Sequence, residues 1–495
     1  MTTRFPISSR LLPLLSLSMA LAITACSGGT SGGSSNPTPN PPPTPTSINE
    51  WTWMSGSDTA NAVGVYGTLG VASANNVPGA RSGSVSWTDS NGNLWLFGGD
   101  GLAASGAAGK LNDLWKFSPT TNQWAWVSGS NSASVYGGPV TLGVYGTQGV
   151  ASAGNMPGAR DSAASWTDSS GNLWLFGGEG YATTSTAGEL NDLWEFNPST
   201  KEWTWVSGSN TINAPGVYGT QGVASVSNVP RARGDVSEGA PLSWVDKSGN
   251  LWLFGGGTTF NDLWEFNPST KEWTWVSGSS TPYAAGVYGT QGVASASNVP
   301  GARGLSVAWT DKSGNFWLFG GGGYDSTGSN NGDLNDLWEF NPSTKEWTWV
   351  SGSNTGGVLP VYGTQGVPSA SNTPGGRDSA VGWIDSDGNL WLFGGFDADG
   401  AIGTIGAYNY LNDLWKFSPT TKQWTWVNGS DTGNAKGVYG TLGVAATSNV
   451  PGARGSEGVP IAWTDGSGHF WLLGGDGIDS TGGGPLLNDL WRYQP

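Results

Sequence analysis

An all-β fold, a six-bladed β-propeller with four antiparallel strands per blade, is predicted for residues 50–495 by three observations. First, one stretch recurs in six versions, clearest as GNLWLFGG at Gly171–Gly178 followed by LNDLWEFNPSTKEWTWVSGS at Leu190–Ser209. Its FGG motifs (LGG in the last copy) end at Gly99, Gly178, Gly256, Gly321, Gly395 and Gly475, and its NDLW motifs begin at Asn112, Asn191, Asn261, Asn335, Asn412 and Asn488. A repeat of this regularity decides the architecture before any local reading does. Second, each copy holds four runs of alternating Trp, Phe, Leu and Val bounded by Gly, Pro and Asn, which is strand chemistry. Third, the 30 tryptophans divide into six sets of five only if Trp51 and Trp53 serve the last copy, which ends at Pro495 without its WxW pair. The N-terminal WTW strand therefore closes the last blade and the ring.

The chain before residue 50 reads as an address. Arg4 and Arg10 precede an apolar run ending at Ala25, the layout of a secretory signal peptide over residues 1–25. Ile23-Thr24-Ala25-Cys26 resembles a bacterial lipobox, making Cys26 the expected lipidation site. The resemblance implies the outer membrane where a cell has two, because residue 27 is Ser and not Asp. Residues 26–49 are the lipidated cysteine and a Gly/Ser/Pro-rich tether, flexible in its first half and extended in its second. Membrane attachment is thus expected through the lipid alone, with the protein in the cell envelope. Cys26 is the only cysteine, so neither an internal disulfide nor a cysteine zinc site is available. Charged residues are 11% of the chain and the net charge is −16, against the basic footprint of a nucleic-acid binder.

Within the second copy the expected strands are Ser162–Trp166, Leu173–Phe176, Asp192–Phe196 and Glu202–Val206. TDSSGN (167–172) and NPSTK (197–201) are short turns, whereas the loop after FGG and the GVYGTQGVAS link are long. Alternation puts both long connections on one face, and the link's extra length is expected to thicken that face. The order GAR, strand, LWLFGG, loop, NDLWxFxPxTxxWTW resembles the kelch repeat. The WxW pairs begin at Trp51, Trp124, Trp203, Trp273, Trp347 and Trp424, a period of 70–79 residues, against roughly 50 for that family.

The resemblance brings two enzyme types into view, a copper radical oxidase and a sialic acid mutarotase. The oxidase needs a Tyr–Cys crosslink and histidine ligands. Here Cys26 has another use, and the one histidine, His469, holds the turn position filled by Asn93, Asn172, Asn250, Asn315 and Asn389 elsewhere. No cofactor motif and no metal site are read. The GAR arginines Arg81, Arg160, Arg233, Arg303, Arg377 and Arg454 are expected to ring the channel mouth, where matching arginines of some kelch propellers bind acidic peptides. A guanidinium fork suits carboxylate bidentately. The structural alternative, which recurrence in all six copies favours, pairs each with the NDLW aspartate (Asp113, Asp192, Asp262, Asp336, Asp413, Asp489). Asp161 and Asp378 follow the arginine in copies two and five. The Arg-to-Trp spacing lengthens at Arg233–Trp244 and Arg454–Trp463, inserting Glu238 and Glu457 in opposite blades, candidates for an acid–base pair or for a bulge that merely satisfies local backbone. The loops after FGG differ most and carry Tyr181, Tyr324, Asp325, Asp397, Asp399, Tyr408, Tyr410, Asp476 and Asp479. Variable loops on a rigid scaffold are where recognition sits. The DADG run (397–400) lacks the remaining ligands of a calcium loop. The GVYG tyrosines are expected to anchor the long link. The reading is a monomeric, non-enzymatic surface module for a protein or glycan. An enzyme resembling the mutarotase, or an architectural spacer, is the alternative.

Overall fold

The computed structural model describes residues 48–235, 239–257, 259–397, 409–456 and 459–495. The signal, Cys26 and the tether through residue 47, together with Glu238, Asp399, Tyr408 and Glu457, lie outside the described residues. Among those described there is no helix, and the regular structure is β throughout.

Six antiparallel four-stranded assemblies follow one another along the chain, the fourth with an additional short strand, in a propeller arrangement. In the second repeat the strands are Ala164–Thr167, Leu173–Phe176, Leu193–Asn197 and Glu202–Ser207, here termed inner, second, third and outer. The expected inner strand from Ser162 is interrupted. Ser162 takes a φ of 53° and donates its N–H to Gly83 O in the preceding repeat at 2.8 Å, leaving Arg160–Asp161 as a separate two-residue strand.

Trp166 pairs across the inner strand with Trp174, Leu175 with Trp194, and Phe196 with Trp203. Cross-strand pairs of this kind are the stabilising unit of a sheet. Each inner strand also lies against those of the repeats before and after it, and the sixth lies against the first. Trp87 Nε1 donates to Trp174 O at 3.0 Å, Trp166 Nε1 to Trp252 O at 2.9 Å, and Trp463 Nε1 to Trp95 O at 3.3 Å. The indole thus fills the gap between repeats with apolar area and satisfies its one donor there. The inner strands enclose a cavity of about 320 Å³ lined by Ser86, Thr88, Ser165 and Thr167 among others. The N-terminal strand Glu50–Ser55 pairs with Leu486–Gln494, with Trp51 opposite Tyr493 and Trp53 opposite Trp491.

The surplus link lies elsewhere than expected. Gly70 N–H donates to Trp126 O at 2.7 Å and Ser73 N–H to Trp124 O at 3.1 Å, so the segment runs along the outer strand's free edge. Gly149, Gly222, Gly292, Gly366 and Gly443 do the same to Trp205, Trp275, Trp349, Trp426 and Trp53. Asn76 Nδ2 ties the segment to Trp124 O at 3.0 Å and to its own Val71 O at 2.9 Å. Covering an edge strand removes a template for unwanted pairing. The additional length thickens the rim, not the long-connection face.

Candidate ligand-binding face

The six GAR arginines are buried, each at 0–1% exposure. In the second repeat Arg160 Nη1 and Nη2 donate to Asp192 Oδ1 and Oδ2 at 2.7 and 2.8 Å, Nη1 also to Gly177 O at 3.0 Å, and Nε to Gly158 O at 3.2 Å. Asp192 Oδ2 further accepts Tyr145 Oη at 2.6 Å and Trp194 Nε1 at 2.8 Å. The same fork joins Arg81 to Asp113, Arg233 to Asp262, Arg303 to Asp336, Arg377 to Asp413 and Arg454 to Asp489. Tyr66, Tyr218, Tyr288, Tyr362 and Tyr439 complete it, each donating to its aspartate. Burial, then the Asp192 charge, holds the Tyr145 hydroxyl far above its ordinary value, so it stays a donor. The expectation of an accessible arginine ring is therefore corrected: a buried fork already closed on a carboxylate has no face left for a ligand. The GVYG tyrosines hold the link by the same aspartates.

Asp161 is also buried, at 1% exposure, and is ion-paired with Lys110 of the first repeat, whose Nζ lies 2.9 Å from Glu179 Oε2 as well. Burial pushes the Asp161 carboxyl up to about 7 against the pull of Lys110. Asp378, its counterpart in the fifth repeat, exchanges both backbone hydrogen bonds with Phe396. Tyr181 is buried, at 4% exposure. Tyr410 is half-buried, its ring 5.5 Å from that of Phe396. Asp325 and Asp479 are loop holders, each accepting backbone and threonine donors within its own loop. His469 sits in its turn with Nδ1 2.9 Å from Asp465 Oδ2. Among the described residues no group of three or more His, Cys, Asp or Glu is arranged to hold a metal ion, and no helix is long and apolar enough to cross a membrane.

The third repeat breaks the pattern. In the first and second, the connection after FGG forms a hairpin, Asp100–Leu102 with Ala108–Lys110 and Glu179–Tyr181 with Ala187–Glu189. In the third, only residues 257–260 separate Gly256 from Asn261. Where the other five repeats have Gly79, Gly158, Gly301, Gly375 and Gly452, the third has Arg231. The hairpin explains the glycine. A Cβ at Gly79, Gly158, Gly301 or Gly452 would sit 1.8 Å from the carbonyl oxygen of Leu102, Tyr181, Tyr324 or Ile478. Loss of the hairpin removes that carbonyl and admits a side chain.

Arg231 is exposed and its guanidinium carbon lies 5.8 Å from the Phe260 ring centre, with Arg233 at 4.7 Å on the same ring. Of the eight arginines among the described residues, six are closed in forks, Arg492 lies over Trp471, and Arg231 alone is exposed. At the shortened connection Tyr283 N–H donates to Thr259 O at 2.8 Å, and the Tyr283 ring, 58% exposed, lies 5.7 Å from that of Tyr324. Tyr324 was expected from sequence. Arg231 and Tyr283 were not, although PRAR in place of PGAR is a visible signal.

No protein-family model matches the sequence, and no curated protein matches it. Many solved structures do. One to which the chain is similar is the structure of YjhT, with a TM-score of 0.47 and 14% identity, covering 86% of this chain and 95% of that one.

Proposed function

We propose that the chain is a lipid-anchored, six-bladed kelch-type β-propeller of the cell envelope, closed by its N-terminal strand, monomeric, and acting as a non-enzymatic binding module. Its ligand carries a carboxylate, on an acidic peptide or an acidic glycan, and docks over the third repeat. The observation that supports this is Arg231: a fork-shaped donor, exposed, backed by Phe260, placed where the fold otherwise demands glycine. Tyr283 and Tyr324 add amphipathic rings on the neighbouring repeat, suited to a ligand that is part apolar and part polar. An enzymatic reading would rest on Glu238 and Glu457, which lie outside the described residues.

Capture from an envelope extract and from an array of acidic glycans, comparing the full chain with Arg231→Ala, tests the reading. Capture by the wild type that falls at least tenfold in a variant of unchanged melting temperature supports it. Equal capture by both proteins, or none by either, removes Arg231 as the binding group.

A further inference from the structure

The face bearing the short turns holds two grooves of the same make, independent of Arg231. One, of about 390 Å³, lies between the second and third repeats, and the other, of about 460 Å³, between the third and fourth. In the first, Asn172 and Glu195 face Lys271; in the second, Asn250 and Glu265 face Lys345. The turn Ser248–Asn250 lines both, so the grooves adjoin.

Each asparagine is fixed as a bridge. Asn172 Nδ2 donates to Asp168 Oδ2 at 3.1 Å and Glu195 Oε1 at 2.8 Å, and Asn250 Nδ2 to Asp246 Oδ2 at 2.9 Å and Glu265 Oε1 at 2.8 Å. In the second groove the glutamate's other oxygen is turned to the lysine. Glu265 Oε2 and Lys345 Nζ stand 3.8 Å apart, too far for a direct hydrogen bond. A ligand hydroxyl fits that gap, donating to the carboxylate and accepting from the ammonium. In the second groove Asp246 and Glu265 are balanced by Lys247 and Lys345, which gives a phosphate or an amine no net attraction.

Three of the repeats lack this arrangement. Lys116, Lys416 and Arg492 replace the glutamate in repeats one, five and six, each lying over a tryptophan ring at 5.1, 5.4 and 5.9 Å. Between repeats four and five the bridge persists, Asn315 Nδ2 donating to Glu339 Oε1 at 2.7 Å with Lys422 nearby, but there Lys312 Nζ reaches across to the Ser386 carbonyl. The propeller itself thus tolerates either charge at this position. The geometry points to a pair of adjoining saccharide-binding grooves on the short-turn face, taking uncharged, hydroxyl-rich sugars and engaging a polysaccharide at two points.

The test uses the full-length chain, in a detergent without sugar headgroups, on a printed panel of neutral glucans, mannans and galactans. Titration with a short oligosaccharide of any type that binds follows. Two equivalents are expected for the wild type and for Arg231→Ala, one for Glu265→Ala or Lys345→Ala, and none for Glu195→Ala/Glu265→Ala. On the immobilised polymer each single variant should lose about 10²-fold or more in apparent affinity, because linked sites act together. Lys271→Ala/Lys345→Ala changes only exposed side chains, so it reports on binding even where the glutamate variants melt early. The inference is overturned by binding that survives both double variants, by a one-site titration, or by a wild type that binds no neutral sugar on the panel.

Discussion

Replacing Arg160 by alanine separates a binding arginine from a structural one. The change removes the donors to Asp192 Oδ1 and Oδ2 and to the carbonyls of Gly158 and Gly177, and leaves Asp192 at 0% exposure with only Tyr145 and Trp194 as donors. Breaking a buried pair by deleting one partner costs about 3–5 kcal/mol. Asp192→Ala costs more. It strands the arginine and also deprives the Tyr145 hydroxyl and the Trp194 indole of their acceptor, at about 1–3 kcal/mol each. The sum is roughly 5–11 kcal/mol, comparable with the whole stability of an ordinary domain, so Asp192→Ala should fail to fold. The paired change Arg160→Met/Asp192→Leu should not restore stability, because those two donors stay buried and unmet. Urea titrations followed by tryptophan fluorescence measure the order wild type, Arg160→Ala, double variant, Asp192→Ala. Arg303→Ala should match Arg160→Ala, since the network is the same. An Arg160→Ala protein within 1 kcal/mol of wild type that loses ligand capture would refute the reasoning and return the arginines to the binding site.

Three further outcomes are expected. Asp161 has its carboxyl raised by burial from 3.8 to about 7, so the unfolded chain releases this proton first and stability is lost as pH rises between those values; Asp161→Asn should flatten that part of the stability–pH curve, and an unchanged slope would contradict it. Trp51 is 1% exposed and packs on Trp383, Phe393, Trp491 and Tyr493, so Trp51→Ala should cost about 3–5 kcal/mol in denaturant titration. Gly158→Ala drives a methyl onto the Tyr181 carbonyl and should cost roughly 1–3 kcal/mol, whereas Arg231→Gly, at the equivalent position, should leave the midpoint within about 0.5 kcal/mol.

What the sequence made legible followed from side chains that recur. The closing role of Trp51 and Trp53 came from counting tryptophans, and the structure pairs them with Tyr493 and Trp491. The pairing of Arg160 with Asp192 was readable as an alternative because both residues return in every copy. The path of the long link was not readable. Gly70 and Trp126 meet through a backbone N–H and a carbonyl, and such a bond leaves no mark on residue identity. The break at Ser162 was hidden for the same reason. Arg231 was visible as a departure from PGAR, but its meaning required knowing which carbonyl presses on Gly158 and is missing over the third repeat.

That last point also constrains where recognition can arise. Each repeat commits one arginine, one aspartate, one tyrosine and one tryptophan to a buried network, and the cost of losing any member falls on the fold. Positions that all repeats share are therefore poor places to look for a ligand. The repeats differ where the network does not reach: at Arg231, where a shortened loop lifts a steric ban, and at the third-strand position holding Glu195, Glu265 and Glu339 in three repeats but Lys116, Lys416 and Arg492 in the others. Neither position belongs to the buried fork: Arg231 is exposed in a connection, and the third-strand residue stands half-buried in mid-strand, opposite the second strand's tryptophan. One scaffold thus presents different chemistry in different places, an exposed arginine at the third repeat and polar grooves lined by carboxylates and lysines beside the short turns.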